Sequence, residues 1–226
     1  MDKRIKVLEV KATILAENNE KAIELRDELN TKRIAYMNLM SSPGSGKTTF
    51  LCALLNRLKD KIKIGVMEAD IDAVVDAETI EKVTGCKAIQ LHTGGACHLD
   101  ADMSRDGLNA INSDDLDLVI LENVGNLICP AEFDTGAQIN VMILSITEGD
   151  DKPLKYPLMF KESDVVVFSK IDALPVFDFN IDLAKSHIKK LNDKALVFPV
   201  SAKTGEGMDA IAEYILNRVK EIKTNK

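Results

Sequence analysis

The sequence predicts an α/β fold in which a mostly parallel β-sheet carries helices on both faces. Two observations indicate this fold. From residue 34 onward, apolar strand-like runs alternate with amphipathic helix-like runs, and a glycine-rich stretch joins the first of these strands to the first helix. The chain has 226 residues, of which 46% are hydrophobic. This is enough for one sizeable core, so we expect one domain over residues 1–226, with residues 1–33 as an N-terminal extension packed on it.

Each element is predicted from its hydrophobic period. Residues 13–32 place apolar side chains at helical spacing between charged ones, which predicts an amphipathic helix laid on the core. The positions expected to pack are Ile14, Leu15, Ala22, Ile23, Leu25 and Leu29. Strands are predicted at 34–40, 62–68, 87–91, 116–122, 139–146, 164–169 and 195–200, and further helices at 47–59, 76–83, 99–112, 180–191 and 207–222. Since such sheets bind ligands at the carboxyl ends of their strands, residues that follow the strands should line the site.

The charge and the cysteines exclude several classes of protein. With 36 acidic against 29 basic residues the net charge is −7, and the absence of a long basic run disfavours binding to nucleic acid or to an anionic membrane. The sequence has neither an 18-residue apolar span nor the features of a signal peptide, so we expect a cytoplasmic protein. Four irregularly spaced cysteines predict reduced thiols or metal ligands rather than a disulfide framework.

The stretch SSPGSGKTT at residues 41–49 predicts a phosphate-binding loop. It follows a predicted strand and opens a predicted helix, whose N-terminal N–H groups favour an anion. The candidate nucleotide-binding residues here are Gly44, Ser45, Gly46, Lys47, Thr48 and Thr49. Lys47 would reach the outer phosphates and Thr48 would bind Mg²⁺. Ser41 stands where the usual P-loop pattern has its first glycine, and the alternative interpretation is a loop that only turns a corner. The context of strand and helix favours a P-loop NTPase.

Carboxylates follow two strands that should end beside this loop. Glu68, Asp70, Asp72 and Asp76 follow or end strand 62–68, and among them we select Asp70 and Asp76 as the functional candidates. For any one of the four, helix capping or a solvated acidic face is the alternative. Glu122 ends strand 116–122, and Gly125 after it could bring its N–H to a γ-phosphate. The catalytic candidates are Lys47, Asp70, Asp76, Glu122 and Gly125, and the candidate Mg²⁺ ligands are Thr48, Asp70 and Glu122.

Two further loops predict recognition of guanine. Ser169-Lys170-Ile171-Asp172 follows strand 164–169, where many GTPases carry N-K-x-D. In that pattern the aspartate accepts hydrogen bonds from two guanine N–H groups, and the lysine stem packs on the ring. The segment of Ser201, Ala202 and Lys203 after strand 195–200 is similar to the companion loop that offers a backbone N–H to the base. Together they predict Lys170, Asp172, Ser201, Ala202 and Lys203 as base-binding residues and favour guanine over adenine.

A second metal site is predicted from Cys97, His98 and Cys129. Thiolate and imidazole are ligands that suit Zn²⁺ and Ni²⁺ alike. Three ligands do not complete a tetrahedron, so the fourth would come from water, from Asp102 or Glu132, or from a second subunit. The alternative is two ordinary apolar cysteines and a helix-capping histidine. The remaining cysteines, Cys52 and Cys86, are expected only to pack.

Four motifs together identify a family. These are residues 41–49, the TGxxCHLDA pattern at 93–101, the ENVGNLxCP pattern at 122–130 and TEGD at 147–150. The whole chain resembles the HypB-type GTPases, hydrogenase-maturation proteins that help to insert nickel into [NiFe] hydrogenase. The resemblance implies GTP and Mg²⁺ as ligands, slow hydrolysis and a nucleotide- and metal-promoted homodimer with Ni²⁺ or Zn²⁺ at its interface.

The resemblance also assigns roles to residues. It gives the phosphate and Mg²⁺ roles to Lys47 and Thr48, the metal-linked acid to Glu122 and the guanine contact to Asp172. It assigns the binding of the interface metal to Cys97, His98 and Cys129. The partners that it implies are a nickel chaperone and the hydrogenase large subunit. Residues 1–33 contain no cysteine or histidine, so tight nickel storage is not expected there.

Three alternatives remain open at this point. A urease-maturation GTPase would share the phosphate-binding loop but is not expected to carry the 122–130 pattern. A P-loop kinase for a small metabolite would prefer ATP. A metal-binding scaffold with a decayed nucleotide site would be marked by Ser41 and Ser169. The ligand set does not choose between Ni²⁺ and Zn²⁺.

Overall fold

A parallel seven-stranded sheet organises the described part of the chain. The computed structural model describes residues 10–70 and 75–224. The strands are β1 Ala35–Ser41, β2 Ile64–Asp70, β3 Lys87–His92, β4 Leu118–Glu122, β5 Ile139–Ser145, β6 Val165–Ser169 and β7 Leu196–Pro199. Their order is β3-β2-β4-β1-β5-β6-β7, and every adjacent pair is parallel. The predicted α/β fold is therefore confirmed, with all seven predicted strands in place.

Helices connect the strands and cover the sheet. They are α1 Val10–Lys32, α2 Lys47–Leu58, α3 Val75–Thr84, α4 Ala101–Ala110, α5 Cys129–Glu132, α6 Lys152–Lys155, α7 Pro157–Lys161, α8 Ile181–Leu191 and α9 Met208–Thr224. Helix α4 begins two residues later than predicted because the Asp100 side chain caps it, accepting a hydrogen bond from the Met103 N–H. The sequence did not predict α5, α6 and α7, since a helix of one turn has no hydrophobic period to detect. No described helix combines the length and the apolarity that crossing a bilayer requires.

The alternation of side chains along each strand divides the core between the two faces. Met37 and Leu39 of β1 point into a cluster that also contains Leu55 of α2 and Ile215 of α9. Tyr36 points to the opposite face, where it packs with residues of α1 and α4. That second face continues toward α7 and α8 in a third cluster. Both faces of the sheet are thus buried, as parallel sheets require.

The buried face of α1 differs from the predicted one. Asn18, Ala22, Leu25 and Leu29 are buried, whereas Ile14 and Ile23 are 49% and 55% exposed, so the prediction that these two isoleucines pack on the core is wrong. The buried positions follow one helix face at i, i+4, i+7 and i+11, and Ile23 lies roughly 100° around the helix from Ala22.

Polar contacts fix the choice of face on α1. The Asn18 side-chain amide donates to the Asp134 carbonyl at 2.9 Å and accepts from the Ala101 N–H at 2.9 Å. The Arg26 guanidinium donates to both carboxylate oxygens of Asp134 at 2.7 Å and to the Ala137 carbonyl at 3.0 Å. One guanidinium nitrogen, Nη2, makes both contacts with Asp134, and Nε makes the contact with Ala137, so a charged group is hydrogen-bonded to two points of this segment. These contacts attach α1 to the segment that follows α5.

Candidate nucleotide and metal site

Strands β1, β2 and β4 lie side by side and bring their carboxyl ends to one cavity. The sheet register aligns Leu39 of β1 and Glu68 of β2 with Glu122 of β4. The cavity has a volume of about 270 Å³. It is lined by Gly44, Gly46, Lys47, Thr48, Thr49, Glu68, Ala69, Asp70, Asp76, Glu122, Asn123 and Gly125. All five catalytic candidates line it, as the rule about strand ends led us to expect.

The loop between β1 and α2 has the backbone that a phosphate cradle needs. Gly44 and Gly46 adopt φ angles of 74° and 94°, which favour glycine. Ser41 ends β1 with no positive φ, so its Cβ is tolerated where the usual pattern has glycine. Its buried hydroxyl accepts hydrogen bonds from the Lys47 ammonium at 3.1 Å and from the Ser45 hydroxyl at 2.6 Å. Ser41 therefore contributes polar contacts that glycine could not.

Three carboxylates gather beside Thr48. The Thr48 hydroxyl donates to Glu122 Oε1 at 2.9 Å, and one carboxylate oxygen from each of Glu68, Asp76 and Glu122 lies within 4.8 Å of the others. Oε2 of Glu122 is buried and has no hydrogen-bond partner among the described residues. Hydroxyl and carboxylate oxygens are ligands that Mg²⁺ prefers, so this group fits the ion.

Burial sets the protonation of the two innermost carboxyls. Glu68 and Glu122 are 3% and 1% exposed. Desolvation is the largest influence on both and raises the pKa of each to about 7; Lys47 opposes the shift in both cases. A cation in the cavity would favour the charged forms.

The membership of this acidic group differs from our selection. Asp76 belongs to it, whereas Asp70 lines the same cavity outside the group of three, and Asp72 lies outside the described residues. Glu68 was noticed in the sequence but not selected. It joins the group because the register of the sheet sets it level with Glu122 of β4, and the sequence does not specify that register by itself.

Gly125 lies against the phosphate-binding loop. A Cβ built at this position would come within 3.1 Å of the backbone of Pro43, closer than most Cβ contacts allow. The loop after β4 therefore touches the phosphate-binding loop where only glycine fits comfortably. Asn123 fixes the start of this loop, since its side-chain amide donates to Asn38 Oδ1 of β1 at 3.0 Å.

A second cavity lies at the ends of β6 and β7, on the other side of the phosphate-binding loop. Its volume is about 270 Å³. Its lining comprises Ser45, Gly46, Thr49, Phe50, Ser169, Lys170, Asp172, Ala173, Val200, Ala202 and Lys203. Apolar walls and one carboxylate suit a flat base with N–H donors. Of the predicted base-binding residues, Lys170, Asp172, Ala202 and Lys203 line this cavity.

The two remaining serines have supporting positions. Ser201 is buried and donates its hydroxyl to Asp172 Oδ1 at 2.7 Å, which orients the carboxylate. Ser169, in place of the usual asparagine, donates to the Ser45 carbonyl at 2.9 Å. The Lys170 ammonium donates to the Gly44 carbonyl at 2.8 Å. These two hydrogen bonds connect the segment that lines the second cavity to the phosphate-binding loop, although serine stands in place of the usual asparagine at position 169.

Cys97, His98 and Cys129 come together, half-buried, at the start of α5. The two sulfur atoms lie 2.9 Å apart, and Cys97 Sγ lies 3.7 Å from His98 Nδ1. Burial lowers the pKa of His98, and the contact with Cys97 raises the pKa of the Cys129 thiol. Two sulfurs and one nitrogen within 4.8 Å of one another fit a Zn²⁺ or Ni²⁺ ion.

The surroundings of this trio disfavour Asp102 and Glu132 as the fourth metal ligand and leave water or a second subunit as its source. Neither Asp102 nor Glu132 belongs to the group of atoms that lie within 4.8 Å of one another, and Asp102 pairs with Lys21 at 2.5 Å. The His98 ring stacks on Phe133, with centroids 3.8 Å apart, a contact that the sequence did not reveal.

Cys52 and Cys86 are buried in the core, as predicted.

Comparisons with known proteins agree with this geometry. The CobW/HypB/UreG nucleotide-binding domain family matches residues 35–199. The hydrogenase maturation factor HypB of Escherichia coli K12 is 43% identical over 204 residues, which cover 90% of this chain and 70% of that protein. The probable hydrogenase maturation factor HypB of Methanocaldococcus jannaschii is 41% identical over 217 residues, covering 96% and 98%.

A solved structure extends the similarity to three dimensions. The crystal structure of HypB from Helicobacter pylori in complex with nickel superposes with a TM-score of 0.85 at 38% identity. The match covers 93% of this chain and 99% of that one, so the fold agrees along nearly the whole length.

Proposed function

The chain belongs to the CobW/HypB/UreG family, among the HypB hydrogenase maturation factors, and from this premise we propose that it is a GTPase coupling hydrolysis to nickel delivery. Its family is one of P-loop proteins that hydrolyse nucleotides. One observation carries the proposal. A single short loop starts at Glu122, touches the phosphate-binding loop through Gly125 and ends at Cys129 of the metal trio. A change at the phosphates would therefore reach a metal ligand.

The proposed reaction is attack of a water molecule on the γ-phosphate of GTP, in line with the leaving group. Residues 44–49 hold the phosphates, and the Lys47 ammonium stabilises the charge that develops on them. Mg²⁺ would neutralise the phosphate charge, held by Thr48 and Glu122, with Asp70 and Asp76 lining the same cavity. Asp76 would orient the water, and the Gly125 N–H would donate to the γ-phosphate. Catalysis is by positioning and charge, without a covalent intermediate.

The base is proposed to be guanine, held in the cavity between β6 and β7. The Asp172 carboxylate accepts from the guanine N–H groups, and Ser201 keeps it oriented. The Lys170 stem and Ala202 form the walls against which the ring packs. Lys203 also lines this cavity and is the last of the proposed base-binding residues.

Replacing Asp172 by alanine should weaken GTP binding by about 10- to 100-fold, because hydrogen bonds to a charged acceptor contribute about 1.5–3 kcal/mol. ATP binding should be weak in both proteins. Competition of GTP and ATP against a fluorescent GDP analogue measures both affinities, with Asp178→Ala in the nearby loop as a control that lies outside the cavity. A preference for ATP, unchanged by the substitution, would support a P-loop kinase instead.

The metal trio is proposed to bind Ni²⁺ as cargo, with Zn²⁺ as the competing ion. Two chains that meet at this site would supply two sets of Cys97, His98 and Cys129, more than enough for four-coordination. We propose such a homodimer, favoured by GTP and metal, with a nickel chaperone and the hydrogenase large subunit as partners. The cytoplasm is the compartment that we propose, because it keeps both thiols reduced.

A further inference from the structure

The TEGD motif at residues 147–150 follows β5 and takes no part in the reaction proposed above. Strand β5 pairs with β1, and the register aligns Ser41 at the end of β1 with Ile143 of β5. Because the two strands are parallel, the loops that follow them leave the sheet at the same edge. The motif therefore begins beside the phosphate-binding loop.

The Glu148 carboxylate joins this motif to the phosphate-binding loop. Its Oε1 accepts a hydrogen bond from the Ser145 N–H at 3.2 Å, which is part of a capping box at the 3₁₀ turn Ile146–Glu148. Its Oε2 accepts a hydrogen bond from the Ser42 hydroxyl. One carboxylate oxygen thus attaches the glutamate to the end of its own strand, and the other holds the neighbouring loop.

Ser42 and Pro43 are held from two sides. Strand β1 lies between β4 and β5, so the loops after β4 and β5 flank the loop after β1. Gly125 approaches from the β4 side, where a Cβ would come within 3.1 Å of the Pro43 backbone, and Glu148 holds Ser42 from the β5 side. The Ser42 carbonyl also accepts from the Ser45 N–H at 3.4 Å, so the position of Ser42 affects the turn that follows it.

The charge of Glu148 needs an opposite charge beside a loop that binds phosphate. The Glu148 side chain is 14% exposed, and the Lys152 ammonium lies 4.0 Å from its Oε2. This ion pair partly offsets the repulsion between the carboxylate and an incoming phosphate. A hydrogen bond from a hydroxyl to a charged acceptor is stronger than one between neutral groups, so the contact with Ser42 is well suited to hold the loop.

We propose that Glu148 is a positioning residue for nucleotide binding, which holds Ser42 and thereby keeps the phosphate-binding loop in its binding conformation. It acts through Ser42 rather than on the nucleotide itself. A loop that is ordered before its ligand arrives loses less conformational freedom on binding. Since GDP and GTP both use this loop, the contact should favour both equally and leave the chemical step unchanged. The inference rests on the proposed function in one respect, that the ligand is a guanine nucleotide.

Two variants test the proposal, with affinities for GDP and for a non-hydrolysable GTP analogue measured by calorimetry. Ser42→Ala removes the hydroxyl but leaves the capping box, and should weaken both affinities about tenfold. Glu148→Ala should weaken them at least as much, and the double variant should lose no more than Glu148→Ala alone. The single-turnover rate at saturating GTP should stay within about twofold of the parent rate. The control Asp151→Asn alters a carboxylate that pairs with Lys155 instead, and should bind like the parent.

Parent-like affinities in Ser42→Ala would overturn the proposal, even if Glu148→Ala failed to fold. Unchanged affinities with a slower single-turnover rate would also overturn it, because the contact would then act on the chemical step. A parent that binds ADP rather than GDP would contradict the proposed function, and the same variants would then test the contact with ADP. A parent that binds neither nucleotide would overturn both ideas.

Discussion

Replacing Lys47 by alanine should lower the single-turnover rate of GTP hydrolysis by at least about 10³-fold. A fixed positive group that stabilises the charge developing in phosphoryl transfer contributes about 10³- to 10⁵-fold in rate. The Lys47 ammonium lines the cavity and lies 3.1 Å from the Ser41 hydroxyl at the base of the phosphate-binding loop. Rates should be measured at saturating GTP, so that weaker binding does not account for the loss.

The matched control for this experiment is Lys61→Ala, which removes an exposed lysine from the turn beyond α2. It should hydrolyse GTP at the parent rate. If Lys47→Ala also retained the parent rate, the phosphate role of this loop would be wrong, and a metal-binding scaffold with a decayed nucleotide site would become the better interpretation.

Replacing Cys97 by alanine should weaken Ni²⁺ and Zn²⁺ binding by more than about 100-fold. Loss of a supporting residue around a metal costs 10- to 100-fold in affinity, and loss of a ligand should cost more. Cys97 Sγ is close to both other candidate ligands, so its removal leaves a lone thiol and an imidazole. Chelator competition on the reduced protein measures the affinity, and saturation gives the stoichiometry. A shared interface site predicts one ion for every two chains.

Cys86→Ala is the control, because it removes a buried thiol away from the trio. It should bind metal with the parent affinity. Equal metal binding by Cys97→Ala and the parent would show that the two cysteines are ordinary small side chains. A full ion per chain would place the site within one subunit rather than between two.

Features that depend on local sequence were predicted well. The phosphate-binding loop and the seven strands follow from residue types, hydrophobic period and the rule that strand ends face the ligand. The structure also explains the two departures from the usual patterns, Ser41 and Ser169. Each of these serine hydroxyls forms a hydrogen bond with Ser45 of the phosphate-binding loop.

Features that depend on contacts between distant segments were not predictable. The buried face of α1 is fixed by Asn18 and Arg26, which both contact Asp134 more than a hundred residues away, so Ile14 and Ile23 were wrongly placed in the core. Glu68 joins the acidic group because of strand register, which the sequence does not specify by itself. Phe133, which follows the one-turn helix α5, stacks on His98. A helix of one turn has no hydrophobic period, so nothing in the sequence indicated this contact.

The central claim is that the nucleotide site and the metal site are coupled through the loop from Glu122 to Cys129. The most direct test compares the Ni²⁺ affinity of the protein loaded with GDP and Mg²⁺ with its affinity when loaded with a non-hydrolysable GTP analogue and Mg²⁺. Coupling between two sites typically changes the affinity of one ligand by about 5- to 150-fold when the other ligand binds. The effect is reciprocal, so Ni²⁺ must change the protein's preference for the GTP analogue over GDP by the same factor. We expect a difference of at least about fivefold between the two states. Equal Ni²⁺ affinities in both states would contradict the claim.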